Sequence, residues 1–329
     1  MNAALPRTAG APARPEGWIA GDESGSPFPA SVDALLDSVP LLAGRPRTIS
    51  SLTGGLTNRN FRIVTDNGDY VARLSSPDSA LLAIDRAAEH ANSRAAAASG
   101  VAPEVLDYLP GRGVLVIAWV DGRTLGPSDV RLESNLARLA QTCRMLHAGP
   151  RFANDFNMFD VQLRYLRLVR ERGFRLPDRY LDFMAKVAMI REAMAVLPEV
   201  SVPCHNDLLA ENIIDDGTRL WLIDYEYAGN NDPCFELGNL ASESTLSDGQ
   251  LELLVTHYYG RPLASKLARA RLWALMSQYG WTLWASIQDG ISTLDFDFWS
   301  WGMEKYERAV STFDSPDFAR LLVEVQQPG

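Results

Sequence analysis

The chain has 329 residues, enough to bury one large hydrophobic core or to form two lobes. Its 47% hydrophobic and 22% charged residues are typical of a soluble globular protein. The formal charge of -10 argues against a nucleic-acid-binding surface and mildly favours a cationic small substrate, although a solvated acidic surface is the commoner cause.

The cysteines and the apolar runs indicate the compartment. Cys143, Cys204 and Cys234 form no close-spaced pair, so we expect neither a disulfide framework nor a metal–thiolate site, and a reducing compartment is favoured. No run approaches about 20 apolar residues, and no uninterrupted apolar segment near the N-terminus predicts a secretory signal. We therefore expect a cytoplasmic protein without a membrane span.

The N-terminal region contains a candidate phosphate loop. Residues 1–30 hold five Pro and four Gly without periodicity, which predicts a disordered tail, and residues 31–39 predict a short helix. Apolar segments at 49–52 and 61–64 then flank a small polar loop at 54–58. Its glycines would let backbone N–H groups approach phosphate oxygens closely, although an ordinary turn is the alternative interpretation. The loop residues are Gly54, Gly55, Leu56, Thr57 and Asn58.

The next predicted strand, residues 69–74, contains Arg73. The first 185 residues contain no Lys at all. Any cation that binds a phosphate group from this part of the chain must therefore be Arg.

A helix and two more strands complete this half. Residues 82–99 are rich in Ala and other helix formers, and they predict a helix that contains Glu89. Residues 105–108 and 114–120 predict strands separated by a Pro-Gly turn. Beyond them the apolar spacing becomes helical.

Three helices are predicted before the most informative motif. Apolar residues recur at helical spacing over 132–146, and residues 161–172 and 178–196 predict two further helices. We expect their apolar faces to form a core.

Asp207 and Asn212 follow these helices on one predicted loop. Residues 213–223 then predict a hairpin, with an Asp-Asp-Gly turn, that returns Asp224 to the side of Asn212. Phosphoryl transfer needs such a set, because one carboxylate accepts the proton of the attacking hydroxyl while an Asn and a second carboxylate hold Mg²⁺. A polar hairpin with chance carboxylates is the alternative.

The spacing H-x-D-x-x-x-x-N, followed by an apolar strand that ends in Asp, resembles the catalytic and metal-binding loops of kinase-like phosphotransferases. The form C-H-N-D followed by I-D-Y-E-Y resembles, more narrowly, the choline/ethanolamine kinase family. This resemblance implies a two-lobed, protein-kinase-like α+β fold. Residues 31–120 would form an antiparallel sheet with one helix, and residues 121–329 a larger, mostly helical lobe. It further implies that Asp207 is the catalytic base and that Asn212 and Asp224 are Mg²⁺ ligands.

The same resemblance implies residues for ATP. The loop at 54–58 would hold the phosphates, and Arg73 would replace the strand Lys of protein kinases. Glu89 would form the ion pair with that cation, and Trp119 and Val120 would lie at the connection between the lobes, where adenine docks. As alternatives, Arg73 is simply an exposed strand residue and Glu89 faces solvent.

An aromatic segment late in the chain suggests the acceptor site. Trp281 and Trp284 are i,i+3 neighbours on one predicted helix face, and Trp301 follows. By the resemblance, these rings would bind a quaternary ammonium through cation–π contacts of about 0.5–2 kcal/mol each. Glu226 and Glu243 would supply negative charge. Plain core packing of the rings is the alternative.

The resemblance therefore implies transfer of the ATP γ-phosphate to the hydroxyl of choline or of another small cationic amino alcohol such as ethanolamine. Glu236 stands where the family usually has Asp, and its longer side chain keeps the carboxylate. The alternatives are a kinase of another cationic alcohol, such as an aminoglycoside or thiamine, and a catalytically silent nucleotide-binding module. The sequence carries no indication of the oligomeric state.

Overall fold

The N-terminal part of the chain is an antiparallel sheet with a helix inserted between its third and fourth strands. The computed structural model describes residues 30–52, 55–75 and 81–328, so Gly54 and nearly all of the predicted tail lie outside the described residues. The strand order is β1-β2-β3-β5-β4, and every neighbouring pair is antiparallel, as predicted. The elements are α1 (Ala30–Leu36), β1 (Arg47–Leu52), β2 (Asn58–Thr65), β3 (Gly68–Ser75), α2 (Arg86–Ala98), β4 (Val105–Leu109) and β5 (Val114–Ala118).

Short-range hydrogen bonds set where these elements begin. The turn between β2 and β3 reverses at Gly68, whose φ of 139° is accessible only to Gly. The sequence predicted that this helix starts at residue 82. Helix α2 instead begins at Arg86, because Asp85 caps it. The Asp85 carboxylate accepts hydrogen bonds from the backbone N–H groups of Ala87 and Ala88 at 2.9 and 3.1 Å.

The C-terminal part is mostly helical, with two small antiparallel sheets, β6-β8-β9 and β7-β10. Its strands are β6 (Arg123–Thr124), β7 (Val202–Cys204), β8 (Ile213–Asp215), β9 (Leu220–Leu222) and β10 (Gly229–Asn231). Its helices are α3 (Pro127–Val130), α4 (Glu133–His147), α5 (Met158–Arg172), α6 (Met184–Val196), α7 (Pro233–Glu243), α8 (Asp248–Tyr259), α9 (Ala264–Ile291), α10 (Phe298–Phe313) and α11 (Asp317–Glu324). This architecture confirms the predicted α+β class.

The helix predicted over 178–196 is interrupted. The α-helical part, α6, starts only at Met184, and a short 3₁₀ turn covers Tyr180–Phe183 before it. Arg179 precedes that turn with a φ of 63°, which cannot continue a right-handed helix. The apolar spacing alone did not reveal this break.

Two separate hydrophobic cores lie on either side of a cleft. The smaller core contains Leu36, Phe61 and Val116, all from the N-terminal part. The larger core fills the space between the C-terminal helices, and it also includes Ala96 of helix α2. No helix within the ranges 30–52, 55–75 and 81–328 is long and apolar enough to cross a membrane.

Candidate active site

The hairpin β8–β9 brings the predicted metal ligands together. Ile213 pairs with Leu222 across the hairpin, and the N–H of Ile223 donates to the carbonyl oxygen of Asn212 at 3.0 Å. Asn212 and Asp224 consequently line the same cleft. Asp224 has a φ of 73°, a left-handed conformation that a non-Gly residue adopts rarely and that often marks a functional position.

Asp207 lies beside this pair. Its side chain is half-buried, and its carbonyl oxygen accepts a hydrogen bond from the amide nitrogen of Asn212 at 2.9 Å. Burial raises the pKa of the Asp207 carboxyl well above its ordinary value, and the negative charges of Asp224 and Glu243 raise it further. The loop thus holds a carboxyl group with increased proton affinity next to the cleft.

A buried carboxylate braces the loop that carries Asp207. Asn206 donates its backbone N–H to Glu236 Oε2 at 3.2 Å, so the Glu found in place of the usual Asp still reaches this loop. Burial raises the pKa of Glu236 to about 7. His147, Cys204 and Glu236 form the one His/Cys/carboxylate group of suitable size for a metal within the described part of the chain. His147 Nδ1 is hydrogen-bonded to the Tyr258 hydroxyl, and backbone N–H groups bind the Glu236 carboxylate. This group of three residues therefore forms a network that braces the loop.

His205 ties the same loop to the strand before Asp224. Its Nε2 donates to the carbonyl oxygen of Ile223 at 2.8 Å. Burial lowers the pKa of His205, so the ring stays neutral and Nδ1 carries no proton. The contact fixes the separation between the loop and the hairpin.

Arg73 connects three carboxylates at the floor of the cleft. Its guanidinium lies 3.1 Å from Glu89 Oε1, 2.5 Å from Asp224 Oδ1 and 2.9 Å from Glu226 Oε2. Burial lowers the pKa of Arg73, but the three negative charges outweigh it and the net shift is upward. The predicted Arg73–Glu89 ion pair is therefore present, and Arg73 is 7% exposed, which contradicts the alternative of an exposed strand residue.

Glu226 also clasps the polar loop. Its Oε1 accepts from the Thr57 hydroxyl at 2.7 Å, and its Oε2 accepts from the Asn58 amide at 2.8 Å. Arg86, which the sequence reasoning missed, donates to Asn58 Oδ1 at 2.9 Å. Its position three residues before Glu89, on the same helix face, was the available signal.

The shape of the polar loop requires Gly at position 55. A Cβ added to Gly55 would lie 2.5 Å from the carbonyl oxygen of Asn58, which is closer than real atoms approach. Leu56 is half-buried and packs against the larger core. The described loop residues 55–58 therefore fold tightly over the cleft.

A cavity of about 490 Å³ opens between the two halves of the molecule, within the range found for ligand pockets. Its polar end carries Arg73, Asn212 and Asp224, and its far edge carries Trp119 and Val120. Apolar side chains from both halves line the rest of it, among them Leu52, Val71, Leu115, Ile117, Ile214 and Ile223.

Two of the three predicted tryptophans, Trp281 and Trp284, are buried and hydrogen-bonded. The Trp281 indole N–H donates to Asn239 Oδ1 at 3.1 Å, and the Trp284 indole N–H donates to the Tyr227 hydroxyl at 2.8 Å. Trp301 is only half-buried, and its ring lies 5.6 Å from that of Trp284. Tyr227, which the sequence reasoning missed, is the last residue of the I-D-Y-E-Y motif.

Glu243 has a partner inside the protein. Lys305 Nζ lies 2.6 and 2.5 Å from the two carboxylate oxygens of Glu243, and 4.2 Å from the centre of the Trp301 ring. Lys305 was also missed, although its spacing of four residues from Trp301 puts both on one helix face. Glu226 and Glu243 thus both bind cationic side chains of the chain, and their roles in acceptor binding stay predictions.

The fold, the cavity of about 490 Å³ and the carboxylates that line it define a kinase-like phosphotransferase. The model of the phosphotransferase enzyme family matches residues 48–273, and membership implies a small-molecule kinase that uses ATP. A crystal structure of a choline/ethanolamine kinase family protein from Mesorhizobium loti is 33% identical, with a TM-score of 0.79. The match covers 90% of this chain and 98% of that one. The chain therefore belongs to the choline/ethanolamine kinase family, which confirms the resemblance noted in the sequence.

Two other proteins are similar to this chain. Mouse ethanolamine kinase 2 is 29% identical over 258 residues, which is 69% of this chain and 66% of the length of that protein. The crystal structure of the choline kinase LicA from Streptococcus pneumoniae has a TM-score of 0.68 at 24% identity, covering 81% of this chain and 93% of that one. This last likeness concerns the fold.

Proposed function

We propose that the protein transfers the γ-phosphate of ATP to the hydroxyl of a small amino alcohol, choline or ethanolamine. The observation that carries this proposal is the location of Asp207. Its carboxyl group interacts with the charge of Asp224 at the ATP-sized cavity and with that of Glu243 beside Trp301. An acceptor hydroxyl held at Asp207 would lie next to the cavity proposed for ATP and next to the acidic and aromatic side chains of Glu243 and Trp301.

In this proposal Asp207 orients the acceptor hydroxyl and takes its proton. The raised pKa of the carboxyl group supports that role, because the Asp207 carboxylate binds a proton more tightly than an ordinary Asp does. Asn212 holds the backbone of Asp207, so the carboxylate is positioned before the substrate arrives.

Asn212 and Asp224 are the residues that would hold Mg²⁺. They offer an amide oxygen and a carboxylate at the polar end of the cavity, and such hard oxygen donors suit this ion. When bound, Mg²⁺ would supply positive charge against the phosphates. Arg73, now paired with Asp224, provides a second positive charge at the same end of the cavity.

The acceptor class follows from the relatives and from the chemistry of the site. The names of the similar proteins include ethanolamine kinase and choline kinase. An aminoglycoside is the weaker candidate, because a polyhydroxylated acceptor would require more carboxylates and fewer aromatic rings than Tyr227, Trp284 and Trp301 provide.

The test is a steady-state assay with ATP, Mg²⁺ and separate acceptors, namely choline, ethanolamine, thiamine and an aminoglycoside. We expect ADP release and a phosphorylated product with choline or ethanolamine. Asp207→Ala should abolish turnover while ATP binding stays measurable by calorimetry. Asp66→Asn, in the exposed β2–β3 turn, is the matched control and should be as active as the wild type. Near-normal turnover of Asp207→Ala would exclude Asp207 as the base.

A further inference from the structure

The ammonium group of Lys305 is bound in the way that a small organic cation would be bound. Lys305 is 3% exposed, and the side chain of its partner Glu243 is 6% exposed. Both oxygens of the carboxylate contact the ammonium, and the Trp301 ring lies 4.2 Å from it. A carboxylate and an aromatic face are the two groups that recognise ammonium ligands.

This ion pair lies at the acceptor side of the site. The charge of Lys305 acts on Asp207, the proposed base. Trp301, which Lys305 covers, is in edge contact with Trp284, and Trp284 is hydrogen-bonded to Tyr227. A cation that enters beside Asp207 therefore meets a carboxylate and a ring face that are already occupied.

We propose that Lys305 is a specificity-determining residue, whose ammonium competes with that of the acceptor for Glu243 and Trp301 and so favours ethanolamine over choline. This inference rests on the proposed function and specifies its substrate. A trimethylammonium group cannot donate hydrogen bonds and depends on aromatic faces. The primary ammonium of ethanolamine has three N–H donors and can bind carboxylate or hydroxyl oxygens elsewhere in the site.

The decisive variant is Lys305→Ala, which removes the competing charge and uncovers the Trp301 ring. The probe is tetramethylammonium chloride, measured by titration calorimetry against sodium chloride at the same ionic strength. A single recovered cation–π contact corresponds to roughly 2- to 30-fold in affinity. We expect the Kd to fall by about tenfold, and KM for choline to fall more than KM for ethanolamine.

Two further variants separate this competition from a structural role. Glu243→Gln/Lys305→Ala also uncovers the ring but lacks the carboxylate, so it should lose most of the gain in affinity. Lys305→Arg keeps the charge, and its planar guanidinium covers Trp301 more fully, so it should bind tetramethylammonium more weakly than the wild type. This second variant retains the buried ion pair and keeps the test valid if Lys305→Ala does not fold.

The proposal is wrong if folded Lys305→Ala binds tetramethylammonium no more tightly than the wild type, or if Lys305→Arg binds it equally well or better. Because tetramethylammonium has no hydroxyl group, these measurements do not depend on phosphoryl transfer. A wild-type enzyme that phosphorylates neither amino alcohol would contradict the proposed function, whereas the binding series would still decide the role of Lys305.

Discussion

Substitution of Glu226 by Gln distinguishes two roles for this residue. The resemblance implies that Glu226 attracts the acceptor cation, but its carboxylate contacts Thr57 and Asn58 of the polar loop and the guanidinium of Arg73. The guanidinium of Arg86 lies 3.3 Å from Glu226 Oε2. If these contacts hold the polar loop over the triphosphate, the substitution will mainly weaken the binding of ATP.

The magnitude follows from the hydrogen bonds that change. Gln keeps one oxygen, which can still accept from Arg73 and Asn58, and its NH₂ group can donate to the Thr57 hydroxyl in place of the former acceptor. The hydrogen bond with Arg73 loses its negative partner, a change of about 0.5–2 kcal/mol, because bonds to charged groups contribute about 1.5–3 kcal/mol against about 1 kcal/mol for neutral ones. Such a loss corresponds to roughly 2- to 30-fold in an equilibrium constant.

The assay is the steady-state KM for ATP and for the acceptor, each at saturation of the other. For Glu226→Gln we expect KM for ATP to rise on the order of tenfold and KM for the acceptor to change less than about threefold. Glu307→Gln, on the exposed face of α10, is the control. A rise confined to the KM for the acceptor would refute the proposal that Glu226 holds the polar loop, and it would support a role of Glu226 in binding the acceptor cation.

Three further predictions concern the brace, the helix packing and the cationic floor of the cleft. Glu236 has a pKa of about 7 against an ordinary 4.5, so it binds its proton more tightly in the folded state, and its contribution to stability, full below about pH 4.5, is lost as pH rises through 7. Glu236→Gln should remove this pH-dependent fall of about 3 kcal/mol in the free energy of unfolding, measured by urea denaturation at several pH values. Gly238→Ala should destabilise the protein by about 1–3 kcal/mol or more in thermal melts, because the new Cβ would lie 2.4 Å from the carbonyl oxygen of Ala270 in α9. Arg73→Lys should raise KM for ATP by about tenfold, because a single ammonium cannot contact three carboxylates in the way that a guanidinium does.

Two of these predictions have a contradicting outcome, and the third has a matched control. Equal pH dependence of stability in wild type and Glu236→Gln would exclude this carboxyl group as its source. Gly249→Ala, where no atom lies within 4 Å of the new Cβ, is the control for Gly238→Ala and should be neutral or slightly stabilising. An unchanged KM for ATP in Arg73→Lys would show that the planar guanidinium of Arg73 is not needed for ATP binding.

Local signals in the sequence were sufficient for the strands of the N-terminal sheet and for the β8–β9 hairpin. A hairpin depends on residues that are close in the chain, so the apolar pair, the Asp-Asp-Gly turn and the returning strand were enough to predict that Asp224 lies beside Asn212. The errors at helix starts are also local in origin. The capping side chain of Asp85 and the positive φ of Arg179 compete with the apolar periodicity that suggested longer helices.

By itself, the sequence determined the order of the motifs and, through their resemblance to the choline/ethanolamine kinase family, the α+β class, because these motifs are short patterns with fixed spacing. Apart from the Arg73–Glu89 pair, the tertiary structure alone decided which charges neutralise one another. Glu226 meets Arg73 across 153 positions of the chain, and Lys305 meets Glu243 across 62. Contacts of this kind leave no periodicity in the sequence, since they depend on how separate helices and strands pack. They nevertheless determine which carboxylates near the cleft are already paired before any substrate binds.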